Sequence, residues 1–423
     1  MDPTLQPYSP SRLAEVVTIW HECGWIDAHD DGHRSALETF CGVGRSEVAL
    51  VDGRAEAHVH RTPGTIRHLD TDLPFCAITA VATSRVGRRR GLASTLTALA
   101  LARGADEGGV VAGLGIFEQG FYDRLGFGSG PYEHRLTFDP SALRLPDRPV
   151  RHPVRLGPDD HEAMHAALVG RARRHGAVTL GPAALVRAEL GFLENLWALG
   201  LPDDAGRLSA FVAGRAKGER GPYTVDWIAY RDGDELLDLL HLLRSLGDQV
   251  NTVEMIEPPE VQLQDLLDRP LRRYDLSEGR SQRALAWWQI RVLDVPAAVA
   301  AVDWEGTPVR FVADITDPVT HHLGRAADLL DASAPPPRWH GVAGRYRVEL
   351  GRASSAQLLA DTASPPSGLP VLTASVGAFS RLLFGVRPAS TLAVCDDLTA
   401  PPDLLARLDR ALALSTPHPG WDF

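Results

Sequence analysis

The sequence predicts a protein of the mixed α+β and α/β class, built from three consecutive units. Strand-like and helix-like segments alternate through the first block, and a similar order returns in the second block. Proline-rich residues 139–160 separate these two blocks, and a softer break lies near residues 276–285. We therefore predict units at residues 1–140, 141–283 and 284–423.

The first block shows a regular order of elements. An Asp52–Gly53 pair between two apolar runs indicates a hairpin. Leu92, Leu96 and Leu99 recur at helical spacing, and glycines follow where this helix would end. The predicted elements are a helix at 12–25, a hairpin at 47–61, a strand at 74–83, a helix from Leu92, a strand at 110–117, a short helix or turn at 118–130 and a strand at 132–139.

Composition limits the classes of function. The 423 residues carry a formal net charge of −11, which argues against nucleic-acid binding and favours cationic partners. No apolar run approaches the ~20 residues that a membrane span needs. The N-terminal residues have neither the basic start nor the apolar core of a signal peptide. We therefore expect a cytoplasmic protein without a membrane span.

Neither cysteine nor histidine spacing indicates a metal site. The four cysteines form no CxxC pair, so we predict free, buried thiols in a reducing compartment; they are Cys23, Cys41, Cys76 and Cys395. His58 and His60 would share one face of a strand, but no nearby cysteine or carboxylate cluster completes a ligand set. We predict that no metal is bound.

An arginine- and glycine-rich stretch, Ser84–Thr95, lies between the predicted strand at 74–83 and the helix that follows. Such a loop exposes backbone N–H groups at the positive end of the helix dipole, where phosphate binds well. Gly91 would allow close approach of a pyrophosphate, and Arg88 and Arg89 could donate charge-assisted hydrogen bonds. The stretch contains neither the P-loop pattern nor GxGxxG. A phosphate-binding loop of another kind is therefore predicted.

The motifs resemble those of the GNAT acetyltransferases. Arg88–Ala93, "RRRGLA", fits the [Q/R]-x-x-G-x-[G/A] loop of that family, and "FYDRLGF" resembles its tyrosine-containing turn. Nearly the whole chain resembles the Eis family of GNAT proteins. Three stretches carry this likeness: residues 80–94 with 118–130, residues 286–301, which open the third domain in that family, and residues 386–423.

The resemblance implies an N-terminal GNAT domain, a second, degenerate GNAT-like domain and a third domain like sterol carrier protein. It also implies a homohexamer that transfers acetyl from acetyl-CoA to amines. The expected substrates are multi-cationic small molecules similar to aminoglycosides or polyamines. Two alternatives stay open: acetylation of lysine in proteins or peptides, and a non-catalytic sensor that binds CoA or a lipid.

Site residues follow from the same resemblance. Tyr122 corresponds to the general acid, and the α-carboxylate of Phe423 corresponds to the general base. Asp422, Trp25 and Asp27 correspond to the substrate pocket, with Asp30 in the same region. The acetyl-CoA residues are expected to be Val81, Ala82 and Thr83 for the pantetheine arm and the thioester, and Arg88, Arg89, Gly91, Leu92 and Ala93 for the pyrophosphate.

The second block repeats the GNAT order but differs at the loop. Strands at 207–214 and 221–231 precede a helix at 234–247 and a strand at 252–258. Residues 232–235, "DGDE", replace the arginine loop. Carboxylates would repel a pyrophosphate, so we predict that the second unit does not bind CoA.

Overall fold

The computed structural model describes residues 3–116, 118, 120–149, 151–268, 280–332, 334–360 and 368–421. In these residues the chain forms a mixed α/β structure with four β-sheets. No helix among them combines the length and apolar character that crossing a membrane requires.

The first unit contains the elements that the alternating pattern predicts. The β2–β3 hairpin turns at Asp52 and Gly53, whose positive φ values of 50° and 83° suit the two central positions of a tight hairpin turn. The elements are β1 Thr4–Pro7, α1 Leu13–Glu22, α2 Asp31–Val43, β2 Arg45–Val51, β3 Arg54–His68, β4 Thr71–Thr83, α3 Leu92–Asp106, β5 Val111–Gly115, β6 Gly128–Ser129 and β7 Glu133–Phe138.

The second unit forms a four-stranded sheet of order β13-β11-β10-β8. Helix α6 buries Leu236, Leu239, Leu240 and Leu243 at helical spacing, as its amphipathic sequence requires. The elements are β8 Val154–Arg155, α4 His161–Gly170, β9 Val178–Leu180, α5 Ala183–Gly191, β10 Leu196–Pro202, β11 Leu208–Arg215, β12 Tyr223–Val225, β13 Trp227–Ala229, α6 Gly233–Ser245, β14 Val253–Ile256 and β15 Ser281–Leu285.

The third unit has a five-stranded sheet of order β19-β18-β17-β20-β21. Strands β17 and β20 run parallel, and the other neighbouring strands run antiparallel. The elements are β16 Trp288–Val292, α7 Val295–Ala300, β17 Val309–Thr316, α8 Val319–Leu329, β18 Gly344–Leu350, β19 Ser355–Leu358, β20 Val371–Ser375, α9 Val376–Leu383, α10 Ala389–Cys395, β21 Leu398–Thr399 and α11 Pro402–Ala411.

Three strands, β7, β9 and β16, pair with strands outside their own sequence unit. The first sheet has the order β1-β2-β3-β4-β5-β16-β6, with β9 beside β3. Strand β16, whose residues the sequence prediction put at the start of the third unit, therefore lies between β5 and β6. Strand β7 leaves the first unit and joins the sheet β12-β14-β7-β15. All five residues of β16 are buried, which explains why it needs a neighbour on each side.

A buried ion pair joins the first sheet to the third unit. Arg291 of β16 donates to an Asp317 carboxylate oxygen at 2.5 Å, and both side chains are fully buried. The same guanidinium donates to the Leu125 carbonyl and lies 5.2 Å from the centre of the Trp339 ring. Asp317 also accepts from the amides of Val319 and Val342 at 3.1 and 2.9 Å. The pair is thus held from several elements.

Replacing Asp317 with alanine is expected to lower the free energy of unfolding by about 3–5 kcal/mol, because Arg291 would keep a buried, uncompensated charge. Chemical unfolding followed by tryptophan fluorescence measures this loss. Glu349→Ala is the matched control, since its ion pair with Arg310 at 2.8 Å is exposed and should contribute much less. Equal losses in the two variants would contradict the assignment.

Candidate active site

Strands β4 and β5 separate where they approach the site. They pair in parallel from Phe75–Val111 to Ala77–Gly113, and no further pairing occurs between their described residues, although β4 continues to Thr83. In the same stretch β4 has a bulge, because Ala80 and Val81 face the single residue Val59 of β3. Ala80 has a φ of 52°, which marks the distortion. The two strands therefore open a cleft with unpaired backbone along its edge.

The loop after β4 has the form of an anion-binding loop. Gly87 donates its amide to Ser84 Oγ at 3.0 Å, and Arg89 and Gly91 have φ values of 61° and 70°. Gly91 is the N-cap residue that precedes α3 and has no side chain to cap it, so the first N–H groups of this helix have no acceptor from a capping side chain. An uncapped helix start next to arginines fits a phosphate group. This loop therefore has features that suit a phosphate group.

The corresponding helix start in the second unit is already capped by carboxylates. Asp232 accepts from the Glu235 amide at 2.9 Å, and Glu235 accepts from the Arg231 guanidinium at 2.5 Å. These carboxylates occupy the end of α6 that a phosphate would otherwise approach. The difference between α3 and α6 is the physical basis for expecting CoA only at the first unit.

Tyr122 lies at the inner end of the cleft. It begins a 3₁₀ turn, Tyr122–Leu125, and its side chain is 2% exposed. Its ring packs edge-on against Phe121 and Phe127, with centroids 4.9 and 6.1 Å away. Burial raises the pKa of the phenol above its ordinary value, so the hydroxyl keeps its proton. Tyr122 is therefore suited to donate a proton and not to accept one.

A cavity of about 710 Å³ opens from this cleft and is lined by all three units. Ile78, Val81, Gly115 and Tyr122 form its side in the first unit. The cavity has aromatic walls made by Trp20, Trp25, Phe40, Phe192, Trp227, Tyr230, Trp287, Trp288 and Trp421. Such a large apolar cavity with a few polar groups is typical of a small-molecule site.

Charged side chains of both signs line the same cavity. The carboxylates are Glu133, Glu189, Asp226 and Glu257, and the arginines are Arg135, Arg171, Arg174 and Arg215. Arg215 binds Asp226 through two hydrogen bonds of 2.9 and 3.1 Å. Arg135 lies 3.4 Å from Glu254, and Arg174 lies 3.5 Å from Glu260. Three of the four arginine charges are thus offset by carboxylates of the chain.

The last described residues of the chain are docked into this cavity. His418 donates its amide to the His175 carbonyl at 3.0 Å, and Val178 donates to the Pro419 carbonyl at 2.8 Å. The Trp421 side chain is 7% exposed. The tail is therefore held in place as far as Trp421. Asp422 and Phe423, which the sequence analysis assigns to substrate and base, lie outside the described residues.

Arg171 is the main side-chain anchor of this tail. It is 8% exposed and donates to the Pro419 carbonyl at 3.1 Å and to the Val178 carbonyl at 2.6 Å. Its guanidinium also lies 5.7 Å from the centre of the Trp421 ring. Burial lowers the pKa of Arg171 to about 10, so the side chain stays charged at neutral pH.

The N-terminal residues predicted to line the pocket separate into two groups. Trp25 lies on the cavity wall, with its ring 5.2 Å from that of Trp20. Asp27 lies outside the cavity lining, and its carboxylate accepts from the His29 amide at 2.9 Å. Asp30 caps α2 by accepting from the His33 amide at 2.9 Å. Both acids therefore have local structural partners.

The predicted acetyl-CoA residues lie along one path. Val81 lines the cavity, Ala82 is buried, and Thr83 ends β4. From there the path continues through the loop, whose predicted residues are Arg88, Arg89, Gly91, Leu92 and Ala93, with the two arginines exposed.

His58 and the cysteines were considered as metal ligands in the sequence analysis, and the structure gives their surroundings. His58 is fully buried and accepts from Trp20 Nε1 at 3.3 Å. Among the described residues, no group of three or more histidine, cysteine or carboxylate side chains could hold a metal ion. Cys41 and Cys76 are buried thiols as predicted, but the prediction was wrong for Cys395, which is exposed on the last turn of α10.

Sequence reasoning missed the part of the site that the second unit supplies. Trp227, Tyr230 and Glu257 line the cavity. The sequence analysis predicted only that the second unit does not bind CoA and placed no site residue in it. Their short strands show no motif, because a pocket wall needs only apolar and polar side chains of suitable size. No sequence motif indicates the role of Arg171 either, since this side chain binds the backbone carbonyl of Pro419, far along the chain.

Comparisons with known proteins agree with this geometry. Residues 5–130 match the family described as acetyltransferase (GNAT) domain. The N-acetyltransferase Eis of Mycobacterium tuberculosis is 26% identical over 363 residues, which cover 82% of this chain and 79% of that protein. An uncharacterized N-acetyltransferase of Streptomyces avermitilis is 25% identical over 422 residues, covering 93% of this chain and 91% of that one.

Solved structures share the fold over the whole length. A probable N-acyltransferase from Enterococcus faecalis V583 has a TM-score of 0.78 at 16% identity, with both chains covered completely. Eis1 from Mycobacterium abscessus has a TM-score of 0.72 at 18% identity, again with complete coverage of both chains. The arrangement of elements is therefore shared far beyond the matched GNAT domain.

Proposed function

Because this chain is a GNAT N-acetyltransferase of the Eis family, we propose that it acetylates an amine of a multi-cationic small molecule similar to an aminoglycoside or a polyamine. One observation carries the proposal: the opened β4–β5 cleft and Tyr122 border one cavity, and the uncapped arginine loop follows β4 directly along the chain. GNAT acetyltransferases use acetyl-CoA, which supplies the acetyl group as a thioester.

The chain's own residues would divide the work as follows. The loop amides with Arg88 and Arg89 would bind the pyrophosphate, and the β4 edge at Val81–Thr83 would hold the pantetheine arm. As the amine nitrogen bonds to the acetyl carbon, the carbon–sulfur bond breaks. Tyr122 would then donate its proton to the leaving sulfur. The raised pKa of Tyr122 makes the phenol a weaker acid, but it also keeps the phenol protonated and ready to donate.

The proton that the amine loses needs an acceptor. We propose the α-carboxylate of Phe423, and the docked tail supports this because Trp421 is buried at the cavity. An α-carboxylate has an ordinary pKa of about 3.5, so it would be a weak base unless burial raises that value or a water relays the proton. Asp422, beside it, would then contact the cationic substrate.

Carboxylates support a cationic substrate. Glu133, Glu189 and Glu257 line the cavity, and the whole chain carries a net charge of −11. Burial raises the pKa of Glu257 above its ordinary value. A bound cation would lower this pKa again, because it favours the ionised carboxylate. Two or more amines of one substrate could therefore be recognised at once.

The aromatic walls favour a second candidate, an amine with a single charge and an aromatic body. Trp20, Trp25 and Trp287 present large apolar surfaces, and three lining arginines are already offset by carboxylates. CoA release from acetyl-CoA, measured with untagged protein over kanamycin, spermidine, phenethylamine and a lysine peptide, decides between the classes. Turnover with none of them, with acetyl-CoA still bound, would contradict acetyl transfer to these classes and support the sensor alternative.

The pH dependence of the reaction follows from the environment of Tyr122. Burial raises the pKa of the phenol, so the proton donor ionises only above about pH 10, its ordinary pKa. The amine substrate loses its proton as pH rises, which makes it a better nucleophile. We expect kcat/KM to rise with pH to a plateau, and we expect no decrease of kcat/KM at any pH under about 10. A fall that begins near pH 8 would assign proton donation to another group.

The remaining expectations concern the rest of the chain. The five-stranded sheet with helices α7–α11 supports a third domain similar to sterol carrier protein, after a degenerate GNAT-like second domain. We also propose a homohexamer in the cytoplasm, as in the family. Light scattering coupled to size-exclusion chromatography tests the assembly, and a monomeric mass would overturn it.

A further inference from the structure

Helix α8 of the third unit lies directly against the loop that precedes α3. Arg325 of α8 donates Nη2 to the Arg90 carbonyl at 2.5 Å. Its Nη1 lies so near Gly91 that a Cβ at that position would be only 2.5 Å away. A guanidinium from the third unit therefore borders the uncapped start of α3, where the amides are expected to meet phosphate.

The same helix also reaches the turn that carries Tyr122. Residues of α8 contact the turn Tyr122–Leu125, in which Arg124 follows Tyr122 by two residues. The His321 ring lies 5.4 Å from the His322 ring on the same helix. Helix α8 thus lies against both the loop that follows β4 and the turn that carries Tyr122.

This region concentrates positive charge in an acidic protein. The cationic side chains that are exposed here are Arg88, Arg89, Arg90, Arg124, His321 and Arg325. None of them forms a salt bridge with any carboxylate that the structure describes, whereas the lining arginines Arg135, Arg174 and Arg215 each have one. Like charges held close together without counter-charges repel one another, and binding of a polyanion relieves that repulsion.

We propose that Arg325 of the third unit is part of the acetyl-CoA site and binds one of its phosphate groups. The third unit then completes the co-substrate site of the first. CoA carries a pyrophosphate and a 3′-phosphate, and either would suit the N–H donors of Arg325 that do not bind the Arg90 carbonyl. This inference rests on the proposed use of acetyl-CoA.

Calorimetric titration of CoA into the full-length protein tests the proposal without relying on turnover. Arg325→Gln is expected to weaken CoA binding by about tenfold, in the range of one charge-assisted hydrogen bond. Arg325→Lys should restore part of the affinity, because it restores the charge. Arg310→Gln is the matched control, since Arg310 is an exposed arginine of the same unit that pairs with Glu349, and it should bind CoA like the unmodified protein.

The salt dependence separates a phosphate contact from a structural role. Loss of one phosphate contact should reduce the slope of log Kd against log salt, and Arg325→Lys should restore it. Titration with 3′-dephospho-CoA then identifies the phosphate: an unchanged Kd between the unmodified protein and Arg325→Gln assigns the 3′-phosphate, and a tenfold difference assigns the pyrophosphate.

Three results would overturn the proposal. CoA binding by Arg325→Gln as tight as that of the unmodified protein would remove Arg325 from the site. Equal weakening by Gln and Lys with an unchanged salt slope would show that Arg325 only supports the loop. If the unmodified protein itself does not bind CoA, the proposed function fails together with the role of Arg325. If the unmodified protein binds CoA and Arg325→Gln binds it equally well, only the role of Arg325 fails.

Discussion

Replacement of Tyr122 by phenylalanine is expected to lower kcat by about 10²–10⁴-fold, the range for loss of a general acid. The phenyl ring can keep its packing against Phe121 and Phe127, so the cavity should hold its shape. Only the hydroxyl that we propose as proton donor to the leaving sulfur is removed. Steady-state turnover with the best amine of the panel measures the loss, and calorimetric titration should give an unchanged Kd for CoA.

Tyr346→Phe is the matched control for this variant. Tyr346 is also buried, and its hydroxyl donates to the Val342 carbonyl at 2.9 Å within the third unit. Its loss should affect stability and leave kcat unchanged. If Tyr122→Phe keeps its full kcat, the thiolate leaves without a protein donor or receives its proton from water, and Tyr122 has no part in the chemistry.

The parts of the site that could be predicted from sequence are those whose partners are close along the chain. The hairpin at Asp52–Gly53 depends on neighbouring residues, and so does the step from β4 through the arginine loop to α3. Tyr122 lies in a turn of seven residues with a recognisable pattern. Local conformational preferences decide such features, so the amino-acid sequence predicts them well.

The parts that could not be predicted depend on distant partners. Strand β16 is buried on both faces, although its sequence WQIRV alternates apolar and polar residues, a pattern typical of a strand with only one buried face. Its position between β5 and β6 follows from pairing with residues more than 150 positions away. Arg325 and Arg171 are similar cases, because each acts through a backbone carbonyl of a distant segment.

The expected role of Asp27 illustrates the same limit. An acidic residue next to Trp25 suggests a pocket for cations, and Trp25 does line the cavity. Asp27 lies outside the lining because its turn directs the carboxylate to the His29 amide. The carboxylates that line the cavity come instead from β7, α5 and residues near 226 and 257, which no local pattern joins.

Displacement of the C-terminal carboxylate is expected to lower kcat by about 10²–10⁴-fold, as for loss of a general base. Addition of a single glycine after Phe423 is the sharpest test, because the chain keeps a carboxylate but moves it by about 3.8 Å. Removal of Phe423 moves it in the opposite direction. Both variants keep the contacts of Arg171 with Pro419 and Trp421, so folding and CoA binding should persist.

The docked tail makes this expectation specific to the end of the chain. Trp421 is buried beside Arg171 at the cavity, so the described part of the tail is held there by named contacts. A glycine added at the N-terminus is the control and should leave kcat unchanged, since β1 lies at the far edge of the first sheet. Trp421→Ala should also lower kcat, because the anchor is lost while the carboxylate remains. Full turnover by the variant with the added C-terminal glycine would remove Phe423 from the mechanism and assign the base to a carboxylate of the cavity wall.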